Sequence, residues 1–261
     1  METNATRMCE RLVGLPDVNV LAVDDRPGEP IRVHVETRGS RPACPACGGR
    51  VVVKDRPQVP LVDLPCFGRQ ARLVWHKHRW ACPARTCPAR SWTAGDERIA
   101  SPRVAMTDRA ARWATEQVGR WGRTVNEVAV ELGCDWHTVN DTVVAYGTEL
   151  VEDPDRIGPV DAVGLDEVLF AREGRFRTQA WSTTIADVGG GQLLDVIPGR
   201  SAAGACAWFA GRPAAWCERI RWATLDLSGP WRLTFDTVLP WATQVADPFH
   251  LVKLANQRLD E

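Results

Sequence analysis

Four of the nine cysteines form two short pairs whose spacing suits a metal ion. Cys44-Pro-Ala-Cys47 lies beside two glycines, and Cys82-Pro-Ala-Arg-Thr-Cys87 follows after 34 intervening residues. Four thiolates in a tetrahedral arrangement make a closed, structural zinc site. In a small module the energy of zinc binding becomes folding energy. We predict a zinc ribbon with ligands Cys44, Cys47, Cys82 and Cys87; the alternative is four buried cysteines without a metal.

Other cysteines and histidines are less strongly predicted to be metal ligands. His76 and His78 precede Cys82 and are either substitute ligands or outward-facing strand residues. An odd cysteine count without an export signal argues against a disulfide framework. The cysteines outside the two pairs are interpreted as core or incidental residues: Cys9, Cys66, Cys134, Cys206 and Cys217.

Two aspartates end predicted strands in the C-terminal part of the chain. The segment 160–167 predicts a strand that carries Asp166 near its end, and 219–226 predicts one that ends at Asp226. If these strands are adjacent, their carboxylates share a cleft, which is unfavourable unless a proton or cation neutralises them. Mg²⁺ prefers such oxygen ligands, and two Mg²⁺ ions can support phosphoryl transfer. We predict that Asp166 and Asp226 are catalytic magnesium ligands; the alternative for each is a turn or cap.

The elements around these aspartates follow the order β-β-β-α-β-α-β-α across residues 159–261. Alternating apolar residues predict the strands, and Gly189-Gly-Gly191 predicts a turn. A mixed sheet with Asp166 and Asp226 on neighbouring strands is typical of a ribonuclease-H-like nuclease core. The other acids in this region are interpreted as turn or cap residues: Asp161, Asp187, Asp195 and Asp236.

A helix-turn-helix is predicted between the two candidate metal sites. A helical stretch opens at Ser101-Pro102, a second covers 125–132, and a third starts after Asp135 as N-cap. Ala129, Gly133 and Val139 have the small, glycine and apolar spacing that such crossing helices need. The second helix of this motif enters the major groove. The predicted DNA-contacting residues are Trp136, His137, Thr138 and Asn140.

The charge distribution bears on that prediction. Residues 39–103 carry 12 basic and 4 acidic side chains, whereas 104–158 carry 5 basic and 10 acidic ones. Acidic helices are repelled by phosphate, so DNA affinity is expected to come mainly from the basic ribbon. The alternative for the helices is a hairpin that only links domains.

Length and composition limit the class of protein to which the chain can belong. The 261 residues have a net charge of −1 and ordinary apolar content, with no run long enough for a membrane helix or secretory signal. We predict a cytoplasmic α+β multidomain protein that avoids membranes. Its predicted parts are a β hairpin (1–38), a zinc ribbon (39–100), a helix-turn-helix (101–152) and an incomplete ribonuclease-H-like α/β domain (159–261).

Several motifs in this order resemble the ISL-three family of insertion-sequence transposases over nearly the whole chain. After the cysteine pairs and helices come Gly-Leu-Asp166-Glu167, Leu-Asp226-Leu-Ser and Asp247-Pro-Phe-His250-Leu-Val-Lys253. The resemblance implies a DDE transposase that acts on the terminal inverted repeats of its own element. It assigns the first two acidic metal ligands to Asp166 and Asp226. It gives Asp247 and His250 no settled role, and shaping the following helix is an equally good interpretation.

Family members continue beyond the part that matches this chain, and their third acid is a glutamate on a later helix. We therefore expect a C-terminally truncated domain, weak or no catalysis by this chain alone, and poor stability of residues 159–261. Glu261 is expected not to replace the missing glutamate, because it follows strand five too closely. The alternative function is a non-catalytic DNA-binding protein, either a truncated transposition inhibitor or a repressor. A decayed, inactive product is a third possibility, and a homodimer is a possible assembly.

Overall fold

The computed structural model describes residues 4–226 and 228–259. Glu261 therefore lies outside the described residues. The chain divides into two compact units, residues 1–153 and residues 154–261. None of the described helices is long and apolar enough to cross a membrane.

The first unit begins with helix α1 and a four-stranded sheet in the order β1-β2-β5-β4. Strands β2 and β5 are parallel, and the other neighbours are antiparallel. Buried side chains on one sheet face, among them Val35, Leu73 and Trp75, build its core. The elements are α1 Ala5–Val13, β1 Val18–Asp24, β2 Ile31–Thr37, β4 Gln58–Cys66 and β5 Arg69–His76.

A separate three-stranded sheet carries the cysteine pairs, in the order β3-β6-β7. Its strands are β3 Val52–Asp55, β6 Arg79–Ala81 and β7 Ser91–Thr93. Strand β5, which lies within the predicted ribbon range 39–100, instead pairs with β2 of the predicted N-terminal hairpin. A strand with one apolar face can pair with any neighbouring strand whose apolar side chains lie on the same face of the sheet, and β2 is such a strand.

Three helices complete the first unit: α2 Asp108–Gly119, α3 Val125–Leu132 and α4 Trp136–Val151. The predicted start of the first helix at Ser101 is wrong, because α2 begins at Asp108. Thr107 is its N-cap, and the Thr107 side chain accepts a hydrogen bond from the Ala110 amide. The residues before it are held by β4, where Met106 forms a bridge with Val62. The predicted bounds of α3 are confirmed.

The second unit is a mixed five-stranded sheet in the order β10-β9-β8-β11-β12, with helices α5 to α8. Strands β8, β11 and β12 are parallel, whereas β9 and β10 are antiparallel additions beside β8. Strands β8 and β11 are adjacent, so the condition under which Asp166 and Asp226 would lie near each other is met. After the short 3-10 helix Pro154–Arg156, the elements are β8 Ala162–Glu173, β9 Thr178–Asp187, β10 Gln192–Pro198, α5 Ala202–Ala210, α6 Ala214–Cys217, β11 Trp222–Leu225, α7 Gly229–Val238, β12 Thr243–Ala246 and α8 Pro248–Leu259.

The core of this unit fixes the level at which the parallel pairing of β8 and β11 ends. Leu165 of β8 and Leu225 of β11 are buried against Trp231 and Phe235 of α7 and Phe209 of α5. Burial of large apolar side chains of this kind contributes roughly 1.5–3 kcal/mol for each residue. The sheet therefore holds the residues that directly follow Leu165 and Leu225 at its edge.

Candidate metal centres and nucleic-acid interface

The cysteine pairs meet at one point of the first unit. The ligand atoms of Cys44, Cys47, Cys82 and Cys87 all lie within 4.8 Å of one another. The Sγ atoms of Cys44 and Cys87 are 3.5 Å apart, and those of Cys47 and Cys82 are 3.7 Å apart. A disulfide needs a separation of about 2.05 Å, so these are four separate thiols.

These separations fit a zinc ion. Four thiolates at a Zn–S distance of about 2.3 Å in a tetrahedron lie about 3.8 Å from one another. The cluster could therefore bind zinc without rearrangement of the two loops. His76 and His78 are not part of it: His76 Nε2 lies 3.0 Å from His34 Nδ1, and His78 Nε2 lies 3.2 Å from Glu36 Oε1.

The electrostatics of the cluster favour a cation. Burial opposes ionisation of Cys44, but the backbone amides of Ala46 and Cys47 outweigh it and lower the Cys44 pKa to about 6. At Cys82 the Ala84 amide favours the thiolate, whereas burial and the neighbouring thiols raise the pKa to about 12. One negative charge forms readily and the next ones do not, so a divalent cation is what would stabilise all four thiolates.

Local backbone geometry builds the first cysteine loop. The Gly48 amide donates to the Cys44 carbonyl at 2.8 Å, and the Cys44 amide donates to the Gly49 carbonyl at 2.9 Å. Gly48 has a φ of 68°, a conformation that glycine adopts without steric cost. Val51 and Trp80 pack beside the buried Cys44 and Cys87 and keep water from them.

The α3–turn–α4 segment has the local interactions that its sequence predicts. Thr124 and Glu127 form a reciprocal capping box at the start of α3. Gly133 ends α3 with a φ of 66°, and a Cβ there would come within 2.1 Å of the Gln70 side chain. Asp135 caps α4, as predicted, by accepting from the Thr138 amide at 2.9 Å.

Strand β5 fixes the position of this turn. The Gln70 side chain donates to the Val130 carbonyl at 3.0 Å, and the Arg72 guanidinium donates to the carbonyls of Leu132 and Gly133. These contacts satisfy carbonyls that the helix end leaves without intrahelical partners. The helices are thus anchored on the four-stranded sheet, an arrangement that sequence reasoning missed because the partners are about 60 residues apart.

The predicted DNA-contacting residues occupy the first turn and a half of α4. Trp136 and His137 are exposed and in edge-to-face contact, with ring centroids 5.3 Å apart. Asn140 is half-buried and lies 3.4 Å from the Asp141 carboxylate. The Thr138 hydroxyl donates to Asp135 at 2.7 Å, so it already serves the helix cap. Trp136 and His137 are the members of the set best presented to a ligand.

In the second unit, strand register brings three aspartates to one edge. Leu225 of β11 is paired with Leu165 of β8 and with Ala246 of β12. The next residues are Asp166, Asp226 and Asp247, so each carboxylate follows the same level of the parallel sheet. Ligand sites of open α/β sheets lie outside the carboxyl ends of such strands.

These aspartates line a cavity of about 300 Å³ together with His250. Each carboxylate uses Oδ1 to accept from a backbone amide of its own loop: Glu167 for Asp166 at 2.8 Å, Ser228 for Asp226 at 3.1 Å and Phe249 for Asp247 at 2.9 Å. These bonds orient the groups and leave Oδ2 of Asp166 and Asp226 for a cation. The three carboxylates offer oxygen ligands, which Mg²⁺ prefers, and the His250 imidazole lies in the same cavity.

Asp247 also has the structural role that the sequence left open. Its Oδ1 contact with the Phe249 amide lies at the start of α8, where Pro248 is the first helical residue. His250 Nε2 lies 3.7 Å from Asp247 Oδ2, one turn into the helix. Each of the three aspartates directly follows an apolar residue of a predicted strand, namely Leu165, Leu225 or Ala246, and this shared pattern was the signal that could have placed Asp247 beside the other two.

Acids outside this edge have other partners. Asp187 accepts from the amides of Gly189 and Gly190 in the β9–β10 turn. Asp195 accepts from the Trp208 indole, Asp161 pairs with Arg221, and Asp236 accepts from Gln244. Their interpretation as structural residues agrees with these contacts.

The first unit thus holds four cysteines that could bind a metal ion, and the second unit holds three aspartates at one level of its parallel strands. A family model described as a transposase, for DDE enzymes of the ISL-three type, matches residues 163–261. The chain is 26% identical over 254 residues to the transposase for insertion sequence element IS1001 of Bordetella parapertussis. It is 27% identical over 176 residues to the transposase for IS1557 of Mycobacterium tuberculosis. By these matches the chain is similar to insertion-sequence transposases, and residues 163–261 are similar to those of the ISL-three type.

The extent of these matches differs between the chain and its relatives. The IS1001 alignment covers 94% of this chain and 58% of the relative, and the IS1557 alignment covers 62% and 38%. The chain thus spans about three fifths or less of the curated relatives it matches. Among solved structures, a simian T-cell lymphotropic virus intasome complex with a PP2A regulatory subunit aligns over 55% of this chain and 57% of that chain at 12% identity. Its TM-score of 0.26 is too low to support a common fold.

Proposed function

We propose that this chain binds the terminal inverted repeats of an insertion sequence and supplies two magnesium ligands of a DDE transposase active site. The observation that carries the proposal is the register of β8, β11 and β12, which sets Asp166, Asp226 and Asp247 side by side. The transposase family match covers this same region. The second unit is, in this proposal, a ribonuclease-H-like domain.

The role of each acidic residue follows from its position. Asp166 and Asp226 would hold Mg²⁺ through Oδ2 while their Oδ1 atoms stay fixed by the amides of Glu167 and Ser228. Bound Mg²⁺ would polarise the phosphodiester and lower the pKa of a water molecule. Asp166 and Asp226 would serve to hold and orient that ion, both for hydrolysis at the element end and for strand transfer.

DNA binding is assigned to the first unit. The segment 39–103, which includes the ribbon and strands β4 and β5, supplies positive charge, with 12 basic and 4 acidic side chains. When basic side chains neutralise phosphates, the DNA releases counterions, and this release supplies a large share of the affinity of a protein for DNA. Trp136 and His137 would contact the groove, with Asn140 as the candidate for adenine. Zinc at Cys44, Cys47, Cys82 and Cys87 would fold the ribbon without taking part in chemistry.

The second candidate function is DNA binding without cleavage, as an inhibitor or repressor of transposition. It rests on the first unit alone, in which residues 39–103 carry 12 basic and 4 acidic side chains and α4 presents Trp136 and His137 to solvent. Both functions require the first unit, and they differ only in whether Asp166 and Asp226 take part in cutting.

Substitution of the aspartates separates the two functions. We would compare the wild type with Asp166→Asn and Asp226→Asn, and with Asp236→Asn as a matched surface control. The DNA probe is a labelled duplex carrying the ends of the genomic element that encodes the chain. We expect each site variant to weaken Mn²⁺ binding by more than about tenfold, since changes farther from a metal already cost that much. DNA affinity should stay unchanged.

The readouts distinguish the outcomes. Mn²⁺ affinity is followed by electron paramagnetic resonance, and strand cleavage by denaturing gels. Equal Mn²⁺ binding in wild type and Asp166→Asn would contradict the catalytic proposal and leave the binding function. Loss of DNA binding on Cys44→Ser or Cys82→Ser is expected under both functions, and retention would contradict both.

A further inference from the structure

The β8–β9 hairpin extends beyond the rest of the second unit's sheet. Strand β8 pairs with β11 only over Ala162–Leu165, and β10 reaches only as far as Ser182 of β9. In the part of the chain that the structure describes, the strand segments 169–173 and 178–180 pair only with each other, whereas the Trp181 carbonyl also accepts from the Gly199 amide at 2.7 Å. We name residues 168–182 the arm. A two-stranded ribbon is marginally stable by itself in water, so such an arm gains from a ligand.

The arm presents aromatic and basic side chains to solvent. Phe176, at its tip, is 89% exposed, and Phe170 is 77% exposed. Arg175 and Arg177 flank Phe176. Arg172 lies three residues before Arg175, near the end of β8. Among the described residues, no carboxylate forms an ion pair with these three arginines. The arm carries one acid, Glu173, within a region (159–261) that has 10 basic and 12 acidic residues.

The tip has a defined shape. Gly174 has a φ of 68° and Arg177 a φ of 51°, and the Arg177 amide donates to the Gly174 carbonyl at 3.1 Å. A left-handed conformation at a residue other than glycine is uncommon and often marks a functional turn. The turn holds Arg175, Phe176 and Arg177 together at the end of the ribbon.

The arm begins at the carboxylate edge. Asp166, Val168 and Phe170 alternate on the exposed side of β8, and a β-bulge lies between Leu169 and Ala171. Bulges redirect strands near functional sites. At about 3.3 Å for each residue, Gly174 lies roughly 26 Å along the strand from Asp166. That length lets one DNA molecule contact both the carboxylate edge and the arm tip.

We propose that the arm is a second DNA-binding element, which grips the substrate backbone and stacks Phe176 on a base at an unpaired strand end. Arg172, Arg175 and Arg177 would pair with phosphates, for which guanidinium is suited. Phe176 offers an exposed ring on which any base can stack. This inference rests on the proposed function, since it names how the same site holds its DNA.

Charge selects DNA over a second copy of this chain as the occupant. Three arginines close together would repel the same arm of another protomer, whereas phosphates attract them. The exposed phenylalanines alone would suit either occupant. Self-association is therefore an outcome that the experiment must detect.

The test compares two arm variants of the whole chain, Phe176→Ala and the double variant Arg175→Ala/Arg177→Ala. The controls are Trp241→Ala, an exposed aromatic before the amino end of β12, and Arg219→Ala, an exposed arginine before β11. The probes are a fluorescein-labelled duplex with a short unpaired 3′ end and the same duplex with blunt ends. Binding is measured by anisotropy across a salt series, and folding is checked by circular dichroism.

We expect Phe176→Ala to weaken binding of the unpaired-end probe by about 5- to 150-fold, the range for loss of one stacked base, and to leave the blunt probe unchanged. The double arginine variant should weaken both probes and lower the slope of log affinity against log salt by about 1.8, for two phosphate contacts. The controls should match the wild type.

Three results would overturn the inference. If the wild type binds both probes, and Cys44→Ser abolishes that binding while the arm variants bind normally, the arm proposal alone fails. If the wild type binds neither probe, the proposed function fails and the inference with it. If Phe176→Ala converts a dimer to a monomer in light scattering with DNA binding intact, the arm is a self-association surface.

Discussion

The cysteine cluster and the carboxylate edge are both candidate metal sites, but their ligands are assembled in different ways. The cysteines lie on two short loops, and hydrogen bonds within residues 44–49 set the first of these. The aspartates sit on three strands whose order in the sheet is set by the core of the second unit. One site depends on local backbone geometry and the other on long-range packing.

Burial differs between the two sites as well. Cys44 and Cys87 are buried, whereas Asp166 is exposed and Asp226 and Asp247 are half-buried beside a cavity. Closed sites serve structure, and open sites leave room for substrate. Under the proposed function, the closed cluster suits a metal ion that stays bound, and the open edge suits carboxylates that meet a metal ion and its substrate together.

The largest effect is expected where the local site loses a ligand. Cys44→Ser should abolish stoichiometric zinc binding and unfold the ribbon, because metal binding and folding are coupled in such modules. Zinc is measured by mass spectrometry, and folding by amide hydrogen exchange in residues 39–100. The matched control is Cys206→Ser, which lies outside the cluster and should keep its zinc. Full zinc content in Cys44→Ser would show that the cysteines form no metal site.

A smaller effect is expected from a change in packing beneath the carboxylates. A Cβ at Gly164 would lie 2.7 Å from Thr224 Oγ1 and from Val188 Cγ2. Gly164→Val should overpack this region, lower the free energy of unfolding of the second unit by about 1–3 kcal/mol and weaken Mn²⁺ binding. Zinc content should not change, because the cysteine cluster lies in the other compact unit.

The control for this packing change is Gly158→Val, because no atom lies within 4 Å of a Cβ at Gly158. Urea unfolding followed by hydrogen exchange in β8 and β11 gives the stability of each variant. If the two valine variants are equally stable, close packing at Gly164 does not hold the edge in register.

The smallest change in stability is expected for substitutions of Asp247. These substitutions distinguish its role as a helix cap from its proposed role at the metal site. Asn is as good an N-cap as Asp, whereas Ala costs about 1 kcal/mol. Asp247→Asn should therefore keep α8 intact and Asp247→Ala should lower the free energy of unfolding by about that amount. We expect both to weaken Mn²⁺ binding, because both remove the negative charge from the cavity. Unchanged Mn²⁺ affinity in Asp247→Asn would restrict Asp247 to the helix cap.

Several elements could be predicted closely from local pattern. The bounds of α3, the Asp135 cap and the two cysteine loops depend on residues fewer than six positions apart. The start of α2 could not be predicted, because the bridge between Met106 and Val62 holds the preceding residues. The length of β8 was underestimated for a related reason: its last residues are strand only because β9 pairs with them.

The sequence by itself determined the ligand types, their spacing and the order of the elements, since thiol pairs, caps and apolar periodicity act over a few residues. Only the tertiary structure decided that β5 pairs with β2, that Asp247 joins Asp166 and Asp226, and that the arm extends beyond the sheet. The physical reason is that strand pairing is chosen among distant segments of similar pattern. That choice depends on which sheet faces the whole core can bury, and a short segment of the chain does not contain this information.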